Sequence, residues 1–163
     1  MSTPEITLDP MTEDEFAAWL LPNVRMLAEE NVRCGRWAPE EALQMAKTEA
    51  TIMLPYAVHT KGQLLYTVRD AASGTAVGSL WITLQPKANK PEAYIYDVIV
   101  HEDLRGKGYG RATMLAAVAR ARELGAHSVG LHVFGHNTAA RELYKSLGFA
   151  ETNIQMSLPL DAD

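Results

Sequence analysis

The stretch Arg105-Gly106-Lys107-Gly108-Tyr109-Gly110-Arg111 alternates glycines with larger residues, three of them cations, between an apolar, strand-like run at residues 92–100 and a helix-like run that begins at Tyr109. Glycine at every second position lets the backbone turn tightly and approach a ligand closely. The first N–H groups of a helix lack intrahelical partners and, with the helix dipole, form an anion site. Arg105, Lys107 and Arg111 add positive charge beside it, so a pyrophosphate suits the loop. A turn that only caps a helix is the plainer alternative, but it needs neither three glycines nor three cations. The pattern Gly-x-x-x-x-Gly-Lys-Ser/Thr is absent. The dinucleotide pattern Gly-x-Gly-x-x-Gly also fails, because Arg111 or Thr113 falls where the third glycine belongs.

The 163 residues suit one domain, expected to span the whole chain. A net charge of -5 argues against a nucleic-acid partner, which needs a basic face. Cys34 is the lone cysteine, read as a small residue near a helix end in preference to a catalytic thiol. The start Met-Ser-Thr-Pro-Glu has neither a basic region nor an apolar run, and no stretch approaches the ~20 apolar residues of a membrane span. A soluble, cytoplasmic protein with no membrane partner is expected. The histidines lack a metal-ligand partner set, so no metal is expected.

Residues 6–8 read as a short strand. Thr12 followed by Glu15 is a capping box that opens a helix carrying Phe16, Trp19, Leu20, Met26 and Leu27, with Pro22 expected to kink or divide it. A second helix is expected from Pro39 to just before Pro55, carrying Leu43, Met45, Ala46, Ala50 and Met53. Residues 63–69 and 75–84 read as an antiparallel hairpin about a turn at 70–74. Residues 85–91 read as a polar loop and 92–100 as an apolar strand. A helix over 109–124, a strand over 128–134, a helix over 137–147 and one or two strand segments in 149–158 complete the order. Hairpin first, then alternating strand and helix, predicts a mixed α/β sheet with helices on both faces.

A second motif, Asn137-x-x-Ala140-x-x-Leu143-Tyr144-x-x-x-Gly148-Phe149, follows the glycine loop. Asn137 is a good N-cap, and Tyr144 shares its helical face. Together the two motifs resemble the GNAT superfamily of acetyl-CoA-dependent N-acetyltransferases, most closely over residues 94–149. The resemblance implies that Arg105-x-x-Gly108-x-Gly110 holds the acetyl-CoA pyrophosphate and that Asn137 to Phe149 is a second cofactor motif. It implies a mainly antiparallel sheet whose strand before the loop splays from its neighbour. The backbone of Val98, Ile99 and Val100 would pair with the pantetheine arm, and Tyr144 would lie near the thioester sulfur. The cofactor part would cover about 92–149, leaving the helices of about 12–54 to shape the acceptor site. Homodimers are common in this family.

The implied reaction is attack of a primary amine on a thioester, which needs a neutral amine, a stabilised oxyanion and help for the leaving thiolate. Complete proton transfer from a tyrosine near ~10 to a thiolate near ~8.5 runs uphill by roughly 2 kcal/mol, so Tyr144 suits a hydrogen-bond donor. Neutralising a lysine-like amine at pH 7 costs about 4.6 kcal/mol, but an N-terminal amine only about 1. Two residues compete to assist the amine. Asp97 sits in the apolar run 94–100, where a lone acid is costly unless partnered or useful, and burial would raise its basicity. His132 has the better-matched ordinary pKa, near ~6.5, but stands where several family members carry a catalytic Glu. Tyr94, Tyr96 and Trp81 are candidates both for an acceptor pocket and for core; Trp37 reads as an anchor between the N-terminal helices. His127 and His136 are expected to face solvent. A non-catalytic acyl-CoA sensor of the same fold is the alternative reading.

Overall fold

The computed structural model describes residues 2–161, which divide into two compact units, the first ending at His132 and the second beginning at Val133. The larger unit holds a five-stranded sheet in the order β1 (Ile6–Pro10), β2 (Gln63–Asp70), β3 (Ala76–Lys87), β4 (Lys90–Val100) and β5 (Ser128–Leu131). Neighbouring strands are antiparallel except β4 and β5, which are parallel. The helices are α1 (Glu13–Arg33), α2 (Pro39–Met53) and α3 (Tyr109–Glu123).

Side chains alternate across a strand, and β2 shows which helix takes which face. Leu65, paired with Trp81, packs with Met11, Phe16 and Leu54, and Trp19 of α1 rests on the same cluster. The next residue, Tyr66, is paired with Leu80 and accepts a hydrogen bond from Arg120 Nε of α3 at 2.9 Å. So α1 covers one face and α3 the other, as the order of elements predicts. The buried positions of α3 include Ala112, Ala117 and Ala121, small enough to let the helix lie close to the sheet.

The Thr12 capping box forms in full: Thr12 Oγ1 accepts from Glu15 N, and Thr12 N donates to Glu15 Oε1, each at 3.1 Å. Such a cap stabilises a helix start by about 1 kcal/mol. The other carboxylate oxygen of Glu15 takes Arg69 at 2.6 Å, and Arg69 also reaches Asp9 at 3.0 Å, tying α1 to β1 and β2. Between α1 and α2, Val24 and Ala28 meet Ala42 and Ala46, with Trp37 buried among them as the expected anchor. Asn31, fully buried, donates to Leu27 O at 2.8 Å and accepts from Arg36 at 3.1 Å.

Four expectations are corrected. Pro22 does not divide its helix: α1 runs unbroken from Glu13 to Arg33. Pro22 removes the N–H that would serve the carbonyl of Ala18, and both residues are exposed, so water can serve that carbonyl instead. Residues 85–91 are not a loop, because β3 and β4 continue to Lys87 and Lys90. Only Ala88 and Asn89 turn the chain, both with positive φ (45° and 72°), as in a type I′ hairpin. The strand expected over 128–134 stops at Leu131. Residues 150–159 form neither strand nor helix, and Ile154, Met156 and Leu158 are largely exposed. Their period-2 apolar pattern is strand-like, but a strand exists only where a neighbour takes up its backbone groups.

In the smaller unit, α4 (Thr138–Ser146) is capped by Asn137, whose side chain accepts from Ala140 N at 3.3 Å. It closes at Gly148, φ 95°, with Phe149 N donating to Tyr144 O at 3.0 Å. That is a Schellman end, and it accounts for the Gly-Phe of the second motif.

Candidate active site

The glycine loop forms the expected helix start. Gly108, φ 92°, is the N-cap of α3, and the first helical bond is Ala112 N to Gly108 O at 3.0 Å. The N–H groups of Tyr109, Gly110 and Arg111 therefore precede the hydrogen-bonded turns. Gly106 also needs positive φ (76°). Gly108 has a second constraint, since a Cβ there would lie 2.8 Å from Pro4 Cδ. Arg105 and Lys107 are exposed, and Arg105 Nε donates to Val100 O at 3.3 Å, tying the loop to the end of β4. The side chain of Tyr109 is committed elsewhere. Its hydroxyl donates to Asp70 Oδ2 at 2.8 Å, anchoring α3 to the β2–β3 turn. Hydrogen bonds from Ser73 and then from Tyr109 hold the Asp70 carboxyl below its ordinary value.

On the other side of this loop β4 parts from its neighbour. The β4–β5 register ends at Ile95 with Leu131, while β4 continues to Val100. Val98, Ile99 and Val100 stay paired with Leu80, Ser79 and Gly78 of β3. A side chain at Gly78 would collide with the Ile99 carbonyl, so glycine is what lets β3 lie against this part of β4.

The register on the β3 side slips between Trp81, opposite Asp97, and Ile82, opposite Ile95. Tyr96 is thus the extra residue of a β-bulge, which re-aims side chains. Its ring lies 4.9 Å from both Trp81 and Tyr94, and Trp81 meets Trp19 edge-on at 6.0 Å. Trp81 is core, whereas Tyr96 is 39% exposed. Trp19 and Trp81 have their indole N–H groups satisfied, by Ser79 Oγ at 3.0 Å and Gln63 Oε1 at 2.7 Å.

Asp97 shares this α1-facing side, where Asn23 Nδ2 donates to its Oδ2. Burial raises the Asp97 carboxyl from the ordinary 3.8 to about 6, against the opposing pull of hydrogen bonds from Asn23 and the Val98 N–H. A carboxylate so placed is a far better base at neutral pH than an exposed one. Asn23 was not singled out in the sequence. Its spacing held the signal, a polar residue four positions after Trp19 and seven after Phe16 on the inward stripe of α1.

His132 lies one residue beyond β5 and is exposed. His127 is exposed in its turn, but His136 departs from expectation: it is partly buried and stacks on Phe134 at 5.5 Å. Tyr144 is partly buried on α4, its ring 5.9 Å from Phe149. Among the described residues no cluster of three or more His, Cys, Asp or Glu is gathered to hold a metal, and no helix is long and apolar enough to cross a membrane.

Comparison with known proteins agrees with this geometry. Residues 25–149 match the model of the acetyltransferase (GNAT) family. The chain is 39% identical over 95% of its length to YycN of Bacillus subtilis (strain 168), named an uncharacterized N-acetyltransferase, and covers 99% of that protein. The crystal structure of YycN superposes with a TM-score of 0.90 over 95% of this chain and 98% of that one. A mycothiol acetyltransferase of Thermobispora bispora is 33% identical over 92% of this chain, which spans 47% of that protein's length. A phosphate-type glycine loop beside a splayed, bulged strand, joined to these likenesses, makes the chain a member of the GNAT acetyltransferase family.

Proposed function

We propose that this protein transfers the acetyl group of acetyl-CoA to a primary amine by direct attack on the thioester. The observation that carries the reading is Asp97, a partly buried carboxylate held above its ordinary range where β4 leaves β5. There it binds the incoming ammonium or takes its proton. The N–H groups opening α3, with Arg105, Lys107 and Arg111, hold the pyrophosphate of the donor. The backbone of Ile99 and Val100 pairs with its pantetheine arm. Tyr144 is assigned the hydrogen bond to the departing thiolate because it matches the tyrosine of the family motif, and Asn137 sets the helix that carries it. His132, exposed beyond β5, ranks below Asp97 as the base.

The test is release of free CoA thiol from acetyl-CoA with a panel of amines at two pH values. Turnover on at least one primary amine, faster at the higher pH, is expected. Tight acetyl-CoA binding with no turnover on any amine would instead mark an acyl-CoA sensor.

A further inference from the structure

We propose that Asn23 is a positioning residue for Asp97, so that α1 acts on the acceptor side of the reaction through one side-chain amide. Asn23 stands on the inward stripe of α1, directly after Pro22, and donates across the fold to Asp97 Oδ2. The carboxylate is thereby fixed in rotation as well as in ionisation. Its Oδ2 is tied to α1, and the β4 backbone donates to it through Val98 N–H. On β4 the titratable neighbours of that face are Tyr94 and Tyr96. Across from it, β3 presents Trp81, and α1 presents Asn23, with Trp19 set against Trp81. Burial, Asn23 and Val98 are the causes of the shift at Asp97, with no charged side chain among them. A hydrogen bond to an ionised group favours the ionised form. Asn23 therefore sets the pH above which Asp97 can receive an ammonium or its proton.

The kinetic arm of the test rests on the acetyl-transfer reading, while the spectroscopic arm does not. The Asp97 side-chain carboxyl is titrated by carbon-13 NMR in the wild type and in Asn23→Ala, the signal being identified by its loss in Asp97→Asn. The midpoint is expected to rise by about one pH unit in Asn23→Ala, the size of a hydrogen bond to a charged group. It should rise less in Asn23→Gln, which keeps an amide donor. The acid limb of kcat/KM should move by the same amount, with activity recovering toward the wild-type plateau at higher pH. A helix-docking role alone would lower activity at every pH and leave the limb in place. An unmoved Asp97 midpoint in Asn23→Ala overturns the proposal. Should Asn23→Ala lose its cooperative melt, Asn23→Leu, which keeps the volume and removes the donor, carries the test, and an unmoved midpoint there overturns the proposal equally. If the wild type acetylates no amine, the acetyl-transfer reading falls, and the NMR titration still decides the role of Asn23.

Discussion

Asn23 and Asp97, 74 positions apart in the chain, are joined by a side-chain hydrogen bond that links α1 to the bulge of β4. The bond is at once a packing contact and an electrostatic one, and it lies beside the bulged Tyr96, where β4 has left β5.

The first prediction concerns stability. The Asp97 carboxyl is raised in the folded state from 3.8 to about 6. A raised acid binds its proton more tightly when folded, so the fold loses stability as pH climbs from near 4 to above 6. Asp97→Asn removes that loss. It should match the wild type in unfolding free energy near pH 4 and exceed it at pH 8, by up to roughly 3 kcal/mol. Equal differences at both pH values would show that the ionised carboxylate carries no penalty.

The glycine loop separates two kinds of glycine. At Gly108 a side chain meets both a positive φ and Pro4, while at Gly106 it meets only the positive φ, with nothing within 4 Å. Gly106→Ala should cost about 1 kcal/mol of stability, and Gly108→Ala more than that. Acetyl-CoA should raise the melting temperature of the wild type, as any ligand of the native state does, and do so less for Gly108→Ala. ATP and NAD at equal concentration should give no comparable protection.

Tyr144→Phe keeps the ring that packs on Phe149 and removes only the hydroxyl. Loss of a hydrogen bond to a developing thiolate should reduce kcat by roughly 10- to 100-fold, with acetyl-CoA affinity little changed. An unchanged kcat removes Tyr144 from the chemistry.

Thr12→Ala removes the hydroxyl that accepts from Glu15 N and leaves the α1 capping box with only its backbone-donated bond. Chemical denaturation should show a loss of about 1 kcal/mol, and the midpoint of the Asp97 titration should stay in place, because the cap lies several turns before Asn23, which sits at the middle of α1.

Much of this was legible in the sequence because it is written locally. The capping box and the Asn137-to-Phe149 motif each depend on residues within a few positions, and each forms as spaced. The glycine loop reads well for the same reason. What stayed hidden is set by partners far along the chain. The bulge at Tyr96 exists only in the register of β4 against β3, so no inspection of residues 92–100 shows that Tyr96 and Asp97 share a face. The hairpin at Ala88 and Asn89 lacks the glycine that usually marks its turn type, and the flanking prolines suggested a loop. Pro22 reads as a helix breaker in isolation, but the carbonyl left without its donor belongs to Ala18, an exposed residue of α1. Asn23 needed α1 laid against the sheet before its target was visible.

Acetyl transfer assisted by Asp97 is decided by the pH dependence of kcat/KM for thiol release, measured for the wild type and Asp97→Asn with the best amine of the panel. The wild type should show an acid limb at about 6, and Asp97→Asn should be slower and lack that limb. Equal rates and superimposable profiles for the two proteins would contradict it.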